Sequence, residues 1–256
     1  MAKTKSAVTE TYTLPSKGIL YAKEGETYPS DVTIRSMTTF EEKMRLGNQG
    51  FWKTMCTILD SVITSPEKFE SKYATLFDFY FLMYKMRTVS YGPTYKVSVT
   101  CPHCGKTIVC KVDLDKLSVD YLPDDAVEPF KIGPLPRSGD VLECRYSRVI
   151  DTINNEKRAK EILDKNPNYI GDPMYVLSRV SQIVNINGEK KSAIEREMYV
   201  DAMDAMDSAY FRQAYDKHVD GVGMSTTCTD TCTSCGEDLE FNLPFNSEFF
   251  RPTFDF

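Results

Sequence analysis

Two Cys-x-x-Cys motifs, separated by most of the chain, restrict the possible folds of this sequence more than any other feature. We call the first knuckle Cys101–Gly105 and the second knuckle Cys232–Gly236; Thr precedes each one. This spacing brings two thiolates onto one tetrahedral ion, and the closing Gly takes the left-handed conformation of a tight turn. Together the knuckles predict one structural Zn²⁺ whose four ligands are Cys101, Cys104, Cys232 and Cys235.

A shell of four thiolates is closed, so it leaves no position for a substrate or an activated water. The predicted zinc therefore stabilises the fold, and the sequence offers no catalytic residue at this site. An ordinary zinc ribbon separates its knuckles by about 15 to 20 residues. Here the long intervening segment is interpreted as an insertion between two hairpins that meet in space.

Two alternatives to this ligand set remain open at the level of sequence. Cys228 lies four positions before Cys232 and could replace it as a ligand. The knuckles could also be two unrelated reduced pairs, while a redox role is disfavoured because neither pair opens a helix after a strand. The other cysteines, Cys56, Cys110 and Cys144, fit small buried hydrophobic positions.

The N-terminus is polar and lacks the apolar stretch of a secretory signal, so a reducing cytoplasm is expected and disulfides are not. The longest apolar runs are shorter than the about 20 residues that cross a bilayer, which predicts no membrane span. A formal charge of −6 argues against nucleic acid, which is bound through clustered Lys and Arg. Phosphate-loop, nucleophile-elbow and zinc-protease motifs are missing, and the chain has 2 histidines, so it is not expected to be an enzyme.

The periodicity of apolar residues predicts an α+β protein with helical segments and a zinc-ribbon-like module of two β-hairpins that carry the knuckles. Thr38 and Glu41 have the spacing of a capping box, which predicts a helix start. The sequence predicts that the chain has five parts. They are an extended N-terminal arm (1–35), a helical region (36–90), the discontinuous module (91–120 and 225–245), a mixed, mainly helical insertion (121–224) and an aromatic C-terminal tail (246–256).

Individual elements can also be placed. A strand is predicted at Asp31–Arg35, and helices at Phe51–Thr64 and Thr75–Val89. The first knuckle joins two alternating strands, and a second hairpin is predicted from Phe130 to Tyr146. The region 150–218 is predicted to form three or four helices interrupted by Pro- and Gly-containing breaks, with a tight turn at 185–189.

Several segments resemble the baseplate hub subunits and hub assembly proteins of T4-type contractile-tailed phages. They are Leu14–Tyr21, Ile34–Lys43, Ser90–Tyr95 and the first knuckle. The resemblance covers the first half of the chain well, and the second half through the order of elements and the second knuckle. It implies a structural or assembly protein that acts in the host cytoplasm during tail assembly and is either built into the virion tail baseplate or helps its hub form.

The resemblance further implies that the partners are other baseplate or hub proteins. The apolar arm and tail suit docking onto neighbours, because exposed apolar ends gain stability when an interface buries them. The residues expected to bind partners are Leu14, Leu20, Tyr21, Phe249, Phe250, Phe254 and Phe256. The alternative function is a zinc-ribbon module that binds nucleic acid in phage transcription or replication, and the acidic residues near the knuckles disfavour it.

Overall fold

The computed structural model describes residues 7–21, 30–47, 50–245 and 247–250. Two of the residues expected to bind partners, Phe254 and Phe256, lie outside these ranges. Helices and small sheets are mixed throughout the described chain, which confirms the predicted α+β class. Within the described ranges, none of the helices has the length and apolar character needed to cross a membrane.

A three-stranded antiparallel sheet begins the chain, in the order β1-β2-β3. Its strands are β1 (Thr9–Thr13), β2 (Asp31–Arg35) and β3 (Ile63–Ser65). β2 is the predicted strand, and its alternation buries Val32 and Ile34. The prediction of a helix through Thr64 was wrong at its end, because the β-branched Ile63 and Thr64 leave the helix and pair with β2.

Two helices, α1 (Thr39–Arg45) and α2 (Phe51–Val62), lie between β2 and β3, and a third, α3 (Leu76–Tyr91), follows β3. The predicted capping box is present at the start of α1, where the amide of Thr38 donates to the Glu41 carboxylate at 2.7 Å. Side chains are buried on every side of α3, so this helix lies at the centre of the main core.

Two hairpins carry the knuckles, and each forms its own two-stranded sheet. One consists of β4 (Thr94–Thr100) and β5 (Thr107–Asp113), and the other of β12 (Thr227–Thr231) and β13 (Asp238–Asn242). Between them in sequence, β6 (Val119–Asp120) pairs with β11 (Gly223–Met224). The chain therefore leaves the region of the hairpins and returns to it at one pair of short strands.

The segment between β6 and β11 contains a second sheet with helices around it. The sheet order is β10-β9-β8-β7, with β7 (Phe130–Ile132), β8 (Leu142–Cys144), β9 (Ile183–Ile186) and β10 (Glu189–Lys190). The helices are α4 (Val149–Lys165), α5 (Pro173–Gln182), α6 (Ala193–Asp201) and α7 (Ala205–Val219).

The predicted hairpin in this segment is confirmed as β7 and β8. β9 was not predicted from the sequence. Its residues were assigned to the mainly helical insertion, with a tight turn at 185–189. β9 follows α5 without an intervening break and has only four residues, whose burial does not alternate, so the strand period could not be recognised. Its pairing with β8 is made over about forty intervening residues, and no local pattern encodes that pairing.

The buried apolar residues form two large clusters and one small cluster. The main core surrounds α3, and the insertion core lies between the four-stranded sheet and the helices α5 and α7. The third cluster consists of Cys101, Cys232 and Leu239, with Ile108 packed against it. This small cluster lies where the two knuckles meet.

Candidate metal centre

The first knuckle is the turn that joins β4 to β5. The amide of Cys101 donates to the carbonyl of Lys106 at 2.9 Å, and the amide of Gly105 donates to the carbonyl of Cys101 at 2.9 Å. Gly105 has a φ of +70°, the left-handed conformation for which glycine is favoured. This turn directs the thiols of Cys101 and Cys104 to one side.

The second knuckle repeats this geometry between β12 and β13. The amide of Cys232 donates to the carbonyl of Glu237 at 2.8 Å, and the amide of Gly236 donates to the carbonyl of Cys232 at 2.8 Å. Gly236 has a φ of +78°. The repeated sequence pattern therefore produces a repeated backbone turn in two hairpins that are far apart along the chain.

The structure brings the four predicted thiols together. The Sγ atoms of Cys101 and Cys235 are 3.7 Å apart, those of Cys104 and Cys232 are 3.9 Å apart, and all four lie within 4.8 Å of one another. Four thiolates at about 2.3 Å from a tetrahedral zinc would be separated by roughly 3.8 Å. A disulfide requires about 2.05 Å, so these spacings suit one shared ion and not two disulfides.

The electrostatic environment differs between the two thiols of the second knuckle. The amide of Ser234 donates to Cys232 Sγ at 3.4 Å, and this bond, with the amide of Cys235, lowers the pKa of Cys232 to about 6. The amide of Glu237 also lowers the pKa of Cys235, but burial and the neighbouring thiols outweigh it and raise that pKa to about 12. A bound divalent cation would favour the thiolate form of all four cysteines.

The burial of the four cysteines is compatible with a structural metal site. Cys101 and Cys232 are buried beside Leu239, whereas Cys104 and Cys235 reach the surface. Four sulfur atoms complete a tetrahedral shell, and soft thiolate donors in this geometry select zinc over hard cations such as Mg²⁺. A metal bound there would link two hairpins and leave no open coordination position for a substrate.

The remaining cysteines lie elsewhere. Cys228, the alternative ligand, belongs to the main core and donates to the carbonyl of Thr226 at 3.8 Å, so the structure does not bring it into the cluster. Cys56, Cys110 and Cys144 are buried, which confirms them as small buried hydrophobes. Burial raises the pKa of Cys56 and Cys110 to about 11 and that of Cys144 to about 12.

The structure differs from the expectation that the N-terminal arm offers its apolar residues to partners. Leu14 and Tyr21 are buried in the main core, and Leu20 packs against the insertion core of the same chain. The Tyr21 hydroxyl donates to the buried Asp78 carboxylate at 2.5 Å, and the amide of Ser16 donates to its other oxygen at 2.9 Å. The arm is therefore attached to α3.

The aromatic tail shows the same difference. Phe249 and Phe250 are buried, and the Phe249 ring lies 4.8 Å from that of Tyr84 and 5.2 Å from that of Tyr95. The Arg87 Nε donates to the carbonyl of Phe249 at 3.0 Å. Side chains of α3 are buried on every side of the helix. The tail therefore packs against one of these sides, and its rings are buried within the chain.

Sequence reasoning missed the residues that fasten the arm and the tail. Asp78 and Arg87 are both charged, and both lie within the apolar helix α3 with almost no exposed surface. A charged residue inside an apolar helical pattern is rarely buried without a partner. Their presence was the available signal that other parts of the chain bind to this helix.

Comparison with known proteins identifies the family. The family model described as T4 bacteriophage base plate protein matches residues 8–251, which include both knuckles and the insertion between them. Neither the curated proteins nor the solved structures that were compared include a match. Because the family model covers nearly the whole chain, this protein belongs to the T4 bacteriophage base plate protein family.

Proposed function

We propose that this protein is a subunit or assembly factor of the central hub of the phage tail baseplate and acts by binding other baseplate proteins. The observation that carries the proposal is the family match over residues 8–251, which supports a structural role in the baseplate. The hub assignment rests on the resemblance in the first half of the chain. In this proposal the protein is made in the host cytoplasm, has no catalytic activity and acts at the tail baseplate.

The proposed role of the four thiols is to bind one structural Zn²⁺. The support is geometric, because four Sγ atoms from two distant knuckles lie within 4.8 Å of one another. Without the metal, the part of the chain that the structure describes would hold the two hairpins at this contact by three buried side chains and the partly buried Ile108. Zinc would close the chain around the insertion and so offset the entropy lost when a long loop is closed.

Charge favours a protein partner over nucleic acid for the knuckle hairpins. Lys106 and Lys111 lie on the first hairpin. The two hairpins also carry the acidic residues Asp113, Asp230, Glu237, Asp238 and Glu240. This mixture lacks the basic stripe that phosphate binding requires. A filter-binding assay at low salt should therefore detect no tight complex with DNA or RNA.

The hub proposal can be tested in phage particles and in assembly intermediates. Gold labelling of a tagged full-length chain should place it on the axis of purified baseplates or of their hub precursors. Mass spectrometry of finished particles would then distinguish a built-in subunit from an assembly factor. Labelling confined to the baseplate periphery, or no association with any baseplate intermediate, would overturn the hub proposal.

The metal proposal has its own test. Elemental analysis of the purified full-length chain should find one zinc per chain. The variant Cys101→Ser should lose it, whereas Cys228→Ala should retain it because Cys228 lies outside the cluster. Equal zinc in Cys101→Ser and in the unaltered chain would refute the proposed ligand set.

A further inference from the structure

A cleft between α5 and α7 is distinct from the knuckles and from the attachments of the arm and tail. It has a volume of about 180 Å³ and opens to the surface of the insertion. Its walls are Ser178, Arg179 and Gln182 on α5, and Phe211, Arg212, Tyr215 and Asp216 on α7. These spacings of one, three and four residues place each set on one face of its helix. The cleft is therefore a groove between two helix faces.

Arg179 is the unusual residue of this cleft. It is only 8% exposed, and its guanidinium carbon lies 3.7 Å from the centre of the Tyr175 ring. One Nη atom donates to the carbonyl of Tyr175, but the buried Nε has no hydrogen-bond partner in the described chain. Nor do the described residues give Arg179 a carboxylate within ion-pair distance. A buried guanidinium of this kind normally pairs with an anion.

The charges around the cleft leave it positive. Arg212 brings a second guanidinium, and among the described lining residues Asp216 is the one carboxylate. Burial lowers the pKa of Arg179; Tyr175 and Asp216 oppose this shift, while the nearby charge of Arg212 adds to it. The cleft has two guanidinium groups and one carboxylate, although the whole chain has a formal charge of −6. It is therefore a local site that attracts a negatively charged group.

We infer that the α5–α7 cleft accepts a carboxylate side chain presented by a partner protein. The guanidinium fork matches the planar geometry of a carboxylate, and Arg and Tyr are the residue types that dominate the energy of protein interfaces. Tyr175, which stacks on Arg179, is 52% exposed and lies one turn before it on α5. A nucleic-acid backbone is bound through an extended stripe of Lys and Arg, whereas this cleft offers two guanidinium groups, so a protein partner is favoured over nucleic acid.

This inference rests on the protein-binding part of the proposed function, and it can be tested first without any baseplate protein. The probe is an acetylated, amidated hexaglutamate peptide, added to the full-length, zinc-loaded chain with ¹⁵N-labelled arginine. The Arg179 Nε–Hε signal should shift saturably. Arg212→Gln should weaken the binding by about tenfold or more, since a charge-assisted hydrogen bond is lost. Lys217→Gln is the matched control, because Lys217 also lies on α7 but lines a different cavity, and it should change the affinity less than twofold.

Three outcomes would overturn the inference: no saturable shift, equal affinity of Arg212→Gln and the unaltered chain, or a shift with inorganic phosphate or single-stranded DNA but not with the peptide. Arg212 is exposed, so its substitution should leave the fold intact, and the dispersion of the amide spectrum verifies this. Arg179→Lys provides a second variant that keeps the charge but removes the fork, and it should also bind more weakly.

A second experiment separates this inference from the hub proposal. Arg212→Glu should prevent co-purification with the baseplate proteins that the unaltered chain retains, and Lys217→Glu should not. If Arg212→Glu still associates, the cleft inference fails while the hub proposal stands. If the unaltered chain associates with no baseplate protein, the hub proposal fails, and the peptide titration alone decides whether the cleft binds carboxylates.

Discussion

The main core and the contact between the knuckles are stabilised in different ways. The main core surrounds α3 with buried side chains from the arm, the first sheet, both hairpins and the tail. Among the described residues, the buried cluster at the knuckle contact consists of Cys101, Cys232 and Leu239, with Ile108 packed against it. Burial of apolar surface stabilises the first region, to which both hairpins contribute, whereas their knuckle ends bury little apolar surface against each other. The comparison teaches that the proposed metal site lies where apolar packing between the two hairpins is weakest.

Removal of the proposed metal should have the largest effect, and it should affect the knuckle contact much more than the main core. Structural zinc contributes on the order of 10 kcal/mol in zinc-finger peptides, so its loss exceeds any single side-chain effect. Chelation, or the substitution Cys232→Ala, should abolish hydrogen-exchange protection in the knuckle ends of β4, β5, β12 and β13. Amides of α3 should keep most of their protection.

The control for this prediction is Cys228→Ala, which alters the same hairpin but not the thiol cluster. It should retain both the metal and the protection of the knuckles. If α3 and the knuckles lost protection together after chelation, the two regions would be one cooperative unit, and the contrast drawn above would be wrong.

Sequence patterns predicted the local features of both regions and failed for contacts between distant segments. The knuckles, the capping box of Thr38 and Glu41, and β2 were predictable because each depends on residues a few positions apart. The repeat of one knuckle pattern also predicted that two distant turns share a ligand set, and the structure brings those four thiols together.

The burial of the arm and of the tail was not predictable in this way. The amide of Ser16 reaches a carboxylate 62 positions away, and Arg87 reaches a carbonyl 162 positions away. Apolar residues at chain ends look the same in sequence whether they bury within the chain or against a partner. The signal in the sequence was the presence of the charged residues Asp78 and Arg87 within the apolar helix α3. It indicated that other parts of the same chain pack against this helix.

The second prediction concerns the tail side of the main core. Phe249 is fully buried and contacts Tyr84 and Tyr95, so Phe249→Ala should lower the free energy of unfolding by about 3–5 kcal/mol. Urea unfolding followed by the fluorescence of Trp52, the single tryptophan, measures this loss. Phe40→Ala, at a ring that is 59% exposed, should change stability by about 0.5 kcal/mol or less.

Zinc content should remain unchanged in Phe249→Ala under native conditions, since the ring lies in the main core and not between the knuckles. Loss of zinc in that variant would show that the knuckle contact depends on the packing of the tail. The contrast between the two regions would then have to be abandoned.

The third prediction tests the arm side of the main core and gives its pH dependence. Tyr21→Phe removes a hydrogen bond to the buried Asp78 carboxylate and should cost about 1–3 kcal/mol near neutral pH. Burial raises the pKa of Asp78 above its usual 3.8, although its hydrogen bonds oppose this shift. The folded state then holds the Asp78 proton more tightly than the unfolded state, so the Asp78 contribution to stability declines as pH rises above about 3.8.

Loss of the tyrosine hydroxyl should steepen this decline, because one of the bonds that stabilise the charged carboxylate is gone. The difference in unfolding free energy between Tyr21→Phe and the unaltered chain should therefore be larger at pH 7 than at pH 4. Tyr121→Phe, at a side chain that is 44% exposed, is the matched control and should show no such difference. A Tyr21→Phe effect that was equal at both pH values would contradict an ionised Asp78 in the folded protein.

The smallest expected effects come from substitutions of two glycines, one in the first knuckle and one in the insertion. Gly105 and Gly139 have φ values of +70° and +75°, and a Cβ added to either meets no atom within 4 Å. An alanine at each position should therefore cost only its backbone strain, about 1 kcal/mol. Gly105→Ala should weaken zinc about fivefold in a chelator competition and leave the insertion unchanged. Gly139→Ala should instead lower the protection of amides in the insertion sheet and leave zinc affinity unchanged. If both variants weakened zinc equally, the insertion would be coupled to the knuckles, and metal and apolar packing would act on one common structure.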